Sequence, residues 1–68
     1  FKMRLNIVKA KTALLVTGKT QSEIAESVKL SRRWVGAAFN GQPISKKAAR
    51  HIAAALGVDV TEIIEQEE

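Results

Sequence analysis

Gly18, Gly41 and Gly57 each close a stretch in which apolar residues recur at helical spacing, and no stretch alternates apolar and polar residues as a strand would. A glycine just past a helix supplies the positive φ that many helix C-termini use, so the three mark stops. Pro43, the one proline, lies two residues beyond Gly41 and blocks continuation of the helix before it. The 68 residues leave room for one compact domain, 1–68, with a small core and a thin stability margin. Chains of this size often rely on disulfides or a structural metal. Here Cys is absent and His51 is the one histidine, which excludes a disulfide framework, a redox motif and a zinc site of the usual ligands. Helix packing has to hold the chain.

Five helices are predicted. Helix 1 covers about 5–16, with Leu5, Val8, Leu15 and either Ile7 or Leu14 facing inward. Helix 2 begins at Thr20, because Thr20-Gln21-Ser22-Glu23 fits the capping box, and Ile24, Ala25 and Val28 form its inner face. Ser31 is the expected N-cap of helix 3, which buries Val35, Ala38 and Phe39 and stops near Asn40-Gly41. Ser45 caps helix 4, with Ala48, Ala49, Ile52, Ala53 and Leu56 inside. Asp59 with Glu62 repeats the capping signal for a short helix 5, anchored by Val60, Ile63 and Ile64. The expected fold is all-α, a compact five-helix bundle with a helix-turn-helix at about residues 20–40.

Charge narrows the function. The net charge is +4, but Asp59, Glu62, Glu65, Glu67 and Glu68 all lie in the last ten residues. All eleven Lys and Arg precede them, with only Glu23 and Glu26 to oppose, so residues 1–58 carry +9. A basic body with an acidic tail points to a polyanionic partner, nucleic acid before membrane. The longest strongly apolar run, Ala13-Leu14-Leu15-Val16, is too short for a spanning helix or a signal segment, and the chain is expected to be cytoplasmic. Helix 1 could lie on a membrane surface, but its apolar face is expected to be needed by the core. Met3 could be the native start, which leaves open that Phe1-Lys2 is an addition and that the chain is a fragment.

Only Lys29 and Leu30 separate helices 2 and 3, which forces a steep crossing. Ala25 supplies the small side chain the close approach needs, while Val35 and Ala38 point back to the core. Arg32, Arg33, Gly36 and Ala37 are thereby placed on the outer face of helix 3. A helix about 10–12 Å across fits the major groove of B-DNA, where arginine reaches guanine O6 and N7 in bidentate fashion. The competing reading of Arg32 and Arg33 is a solvated helix start. Trp34 is expected to be a partly buried packing residue rather than a phosphate contact. Lys46, Lys47 and Arg50 are either a solvated face or backbone clamps, and Lys2, Arg4, Lys9 and Lys11 add diffuse charge. His51, without a nucleophilic partner, makes no catalytic set, so no catalytic residue, metal or small-molecule cofactor is expected and the chain is read as no enzyme.

Residues 20–64 resemble the λ-repressor-like helix-turn-helix domains of phage repressors and the xenobiotic-response-element family. The pattern runs Thr20-Gln21, Glu23-Ile24-Ala25-Glu26, Leu30-Ser31, Val35, Asn40-Gly41, Ile52-Ala53, Ala55-Leu56-Gly57-Val58 and Glu62-Ile63-Ile64. That resemblance implies a repressor-type transcription regulator that binds double-stranded DNA as a homodimer and blocks polymerase. Carried over by position, Gln21 and Asn40 contact phosphates and the residues after Ser31 read bases. Thr20, Gln42, Lys46 and Lys47 complete the expected phosphate contacts. The turn position usually held by Gly in that family is Lys29 here, and Gly36 and Ala37 offer a groove at most a methyl. Specificity would then rest on the arginines, Gln42 and DNA shape.

A second stretch, Trp34-Val35-Gly36-Ala37-Ala38-Phe39-Asn40-Gly41-Gln42 with Ala48-Ala49-Arg50, is similar to the N-terminal helical domain of cyanase. That resemblance implies the same fold used for enzyme assembly rather than DNA binding. The catalytic Arg, Glu and Ser of cyanase lie in a C-terminal domain without counterpart in these residues, so catalysis by this chain alone is not expected.

Overall fold

Local capping chemistry starts every helix among the described residues. In the computed structural model, which describes residues 2–65, four α-helices form: α1 (Ile7–Thr17), α2 (Gln21–Val28), α3 (Arg32–Phe39) and α4 (Lys46–Leu56). Phe1 of the suggested Phe1-Lys2 addition and Glu67 and Glu68 of the acidic tail lie outside the described residues. Asn6, Ser31 and Ser45 each accept a hydrogen bond from the backbone N–H three residues on, at 3.0, 3.1 and 3.1 Å. At α2 the capping box closes in both directions: Glu23 N–H donates to Thr20 Oγ1 at 3.2 Å and Thr20 N–H donates to Glu23 Oε1 at 2.8 Å. Each such cap is worth about 0.5–2 kcal/mol.

Helix ends are as orderly. At α2, Leu30 N–H bonds Ala25 C=O and Lys29 N–H bonds Glu26 C=O, the paired bonds of a Schellman motif. The same pair closes α3 through Gln42 and Gly41, and α4 through Val58 and Gly57. Gly41 and Gly57 hold the left-handed position in their motifs, at φ 92° and 75°, while α2 uses Lys29 at φ 60°. Lys29 is the one non-glycine residue with positive φ among those described. Lys29→Gly is therefore expected to raise stability by up to about 1 kcal/mol, since Gly removes the Cβ clash of the left-handed region. Urea denaturation followed by circular dichroism checks it, and a lower midpoint would contradict the strain.

The expected fifth helix is a single 3-10 turn, Val60–Glu62. Its capping box does not form, because Asp59 Oδ1 accepts from Thr61 N–H at 3.0 Å and Thr61 Oγ1 at 2.8 Å instead of from Glu62. Those two bonds, the backbone one foremost, hold the Asp59 carboxyl below its ordinary value near 3.8. A depressed carboxylate stabilises the fold above the unfolded value, and that contribution fades as pH falls through the lower folded one. Beyond the turn the chain is drawn into pairing with the N-terminal segment. Ile64 forms an antiparallel bridge with Leu5, Asn6 N–H donates to Ile63 C=O at 2.7 Å, and Glu65 N–H donates to Arg4 C=O at 2.8 Å.

The N-terminal segment also forms β1 (Lys2–Met3), antiparallel to β2 (Ile44–Ser45), with Met3 opposite Ile44. The protein is thus mostly helical, with a two-residue strand pair that the sequence does not foretell. The core is Leu5, Ala10, Ile24, Ala25, Val35, Ala38, Phe39, Ile44, Ala49, Ile52, Ala53, Leu56 and Ile63. The inner faces read from the sequence for helices 2, 3 and 4 are the ones buried or half-buried.

Helix 1 is a correction. It starts at Ile7 rather than about residue 5, and it turns Ala10, Ala13 and Leu14 toward the core. Val8 and Leu15, expected inside, are 73% and 81% exposed, and Val16 is 81% exposed. Leu5 is buried, but through its bridge to Ile64 and not as part of a helix.

Candidate functional site

Two surfaces carry features beyond packing, and the helices set both. The first is the face read from the sequence. Ser31 starts α3 so that Arg32 and Arg33 occupy its exposed first turn. Arg32 Nη1 donates a long 3.4 Å hydrogen bond to Ser22 Oγ on α2, while Arg33 has no such tie among the hydrogen bonds of the described residues. Thr20 is exposed, with its hydroxyl engaged in the capping box. Asn40, Gln42, Lys46 and Lys47 are exposed along the α3–α4 connection and the first turn of α4, and Arg50 and His51 are exposed on α4.

Three of the expected contact positions are set back from solvent. Gly36, Ala37 and Gln21 are half-buried. A Cβ at Gly36 would sit 3.5 Å from Gln21 Oε1, so Gly36 lies beneath the first turn of α2 where the two helices meet. Trp34 is half-buried against the core, the packing role expected of it. The exposed polar set of α3 is therefore Arg32 and Arg33.

The second surface was not anticipated. Val8, Thr12, Leu15 and Val16 follow the i, i+4, i+7, i+8 spacing of one helix face, and none of them is buried. Beside this face runs a groove of about 660 Å³ between α1, the end of α4 and the 3-10 turn. Val8, Ala13, Val16, Leu56, Val58 and Ile63 make its apolar walls, and Lys9 and Glu62 are the charged residues that line it. Leu15 stands outside the groove. The large aliphatic face of helix 1 is not consumed by the core, because the core takes the alanine side. Ala10 and Ala13, small residues spaced for close helix contact, and Asn6 as a cap were the signals for that orientation. No helix among the described residues is long and apolar enough to cross a membrane.

A small helical domain with a helix-turn-helix-like α2–α3 pair, a basic face and an apolar flank is the class these features define. The chain belongs to the family of cyanate hydratase N-terminal domains, whose model matches residues 2–66. No curated protein and no solved structure matches it. The family overturns the reading of the chain as no enzyme, because the matching model is the N-terminal domain of cyanate hydratase, an enzyme family. Nor does the match support the expected repressor or transcription regulator; it agrees with the second of the two resemblances.

Proposed function

We propose that this chain is an assembly and interaction domain of the cyanase type, one that makes protein–protein contacts rather than reading DNA. The observation that carries the reading is the family match across residues 2–66. Two features of the surface support it. The outer side of α3 has two arginines but half-buried Gly36 and Ala37 where a base reader would project polar groups. The apolar face of α1, by contrast, has the composition of a contact surface, with large aliphatic side chains left in water.

DNA titration by mobility shift at low and moderate salt tests this. The expected result is no complex, or weak binding without sequence preference. A second reading rests on the exposed pair Arg32 and Arg33 at the start of α3 and the +9 charge of residues 1–58. In it, a homodimer places α3 in the major groove, Arg32, Arg33, Gly36 and Ala37 face bases, and Thr20, Gln21, Asn40, Gln42, Lys46 and Lys47 hold phosphates. Neutralising about four to eight phosphates would give a log–log salt slope of roughly −4 to −7. A selected site bound with that slope, and base preference relaxed by Arg33→Ala but not by Lys46→Ala, would overturn the assembly reading.

A further inference from the structure

The α1 flank combines a protruding apolar side chain and an apolar recess on one continuous surface. Leu15 and its neighbour Val16 are each 81% exposed, the most exposed large apolar side chains among the described residues, although they lie in the last turn of a well-capped helix. The groove beside them is floored by Leu56 and Ile63, both buried core residues, and walled by Val8, Val16 and Val58. Among the described residues none fills the groove, and Leu15 stays in solvent. A knob and an unfilled hole side by side on one patch can close under a two-fold axis, where each copy's knob enters the other's hole.

The charges lining the groove discriminate among occupants. Lys9 belongs to α1 and Glu62 to the 3-10 turn across the groove. A two-fold pairing sets the two walls of one copy against those of the other, so that Lys9 of each chain can face Glu62 of its partner. An anionic lipid surface would meet Lys9 favourably but would be repelled by Glu62, with Asp59 exposed at the start of the same turn. A strongly acidic or strongly basic partner protein has the same difficulty with one wall or the other. An apolar centre with a polar rim is the anatomy of a protein–protein contact, and the opposite charges of Lys9 and Glu62 let this one match a second copy of itself.

We propose that the α1 face, Val8, Thr12, Leu15 and Val16 with the adjoining groove, is an isologous interface through which two copies of this chain pair. The proposal deepens the assembly reading and rests on it: it names the surface and makes the partner a second copy. The arginine face of α3 lies elsewhere on the domain and takes no part.

Sedimentation equilibrium of the 68-residue chain, run over a wide concentration range, tests the proposal. The wild type is expected to show a concentration-dependent monomer–dimer equilibrium. Leu15→Glu is expected to weaken it about tenfold or more, since a buried anchor becomes an unpaired charge. Because Leu15 is almost fully solvated in the monomer, the variant should keep the wild-type circular dichroism spectrum and thermal midpoint. Lys9→Glu and Glu62→Lys should each weaken the dimer, and the two together should restore it. A dimer indifferent to Leu15→Glu and to the single charge reversals overturns the α1 interface while leaving the assembly reading in place. A wild type that remains monomeric at millimolar concentration also overturns the interface, as does Leu15-dependent binding of the monomer to phosphatidylglycerol vesicles. Failure of the assembly reading itself shows separately, as the steeply salt-dependent DNA binding described above.

Discussion

Phe39→Ala is expected to remove about a third or more of the stability of the fold. Phe39 ends α3 and is the largest of the fully buried side chains, with no solvent exposure. Truncating a buried phenylalanine costs about 3–5 kcal/mol through lost transfer energy and the cavity left behind. At roughly 0.05–0.15 kcal/mol per residue, a domain of this length has a total stability of about 3–10 kcal/mol. There is no disulfide to absorb the loss, because the sequence has no cysteine. Urea denaturation followed at 222 nm should show the transition displaced to markedly lower denaturant or lost. The control is Leu15→Ala, a truncation of a large apolar side chain that the sequence alone would place in the core. At 81% exposure it should shift stability by under about 0.5 kcal/mol in the monomer. A large loss at Leu15 with little at Phe39 would mean that α1 is rotated from the orientation described.

That contrast marks where the sequence was legible and where it was not. The starts of α2, α3 and α4 were readable because Thr20, Ser31 and Ser45 act within three residues of themselves, and local chemistry needs no tertiary context. Their inner faces were readable because each helix has one clearly apolar side. Helix 1 lacks that contrast. Ile7, Val8, Ala10, Ala13, Leu14, Leu15 and Val16 leave apolar residues on most of its circumference, so periodicity could not choose the buried side. The choice fell to close packing, which favours alanine where helices approach, and to Asn6, which sets the first turn. The expected fifth helix shrinks to one turn for a related reason. Asp59 and Glu62 have capping-box spacing, but the bridge between Leu5 and Ile64 takes the chain away after one turn. A strand pair of two residues on each side carries no alternation to detect.

The candidate surfaces divide in the same way. Arg32 and Arg33 could be placed at an exposed helix start because Ser31 announces that start. The half-burial of Gln21, Gly36 and Ala37 depends on how deeply α2 settles on α3, which no spacing rule gives. The α1 groove was invisible because one wall is α1 and the other is the end of α4 with the 3-10 turn, two segments far apart in sequence. The family match likewise fell to the shorter of the two resemblances, the one carried by residues 34–42 and 48–50. The helix-turn-helix pattern is shared by domains with different duties, so a fold of this kind does not decide between DNA and protein partners.

Gly41→Ala is expected to lower stability by about 1–2 kcal/mol, the cost of holding a side chain in the left-handed region. Gly41 sits at φ 92°, and two backbone bonds depend on that conformation: Gly41 N–H to Ala38 C=O and Gln42 N–H to Ala37 C=O, both 3.1 Å. They satisfy the last carbonyls of α3 and turn the chain toward β2, where Ile44 enters the core opposite Met3. An added Cβ would also come within 3.3 Å of Ile7 Cδ1, a contact the outer end of that side chain can relieve by a small shift. Gly57→Ala separates the two effects. Gly57 closes α4 with the same motif at φ 75°, and a Cβ there would meet nothing within 4 Å. Equal losses in the two variants would assign the cost to backbone strain alone, and a greater loss at Gly41 would assign the excess to Ile7 and to its more extreme φ. The opposite change at the third motif, Lys29→Gly, should carry the opposite sign, so thermal midpoints are expected to rank Lys29→Gly above wild type, and wild type above both Gly57→Ala and Gly41→Ala. Gly41→Ala melting at or above wild type would show that α3 does not end in a left-handed turn.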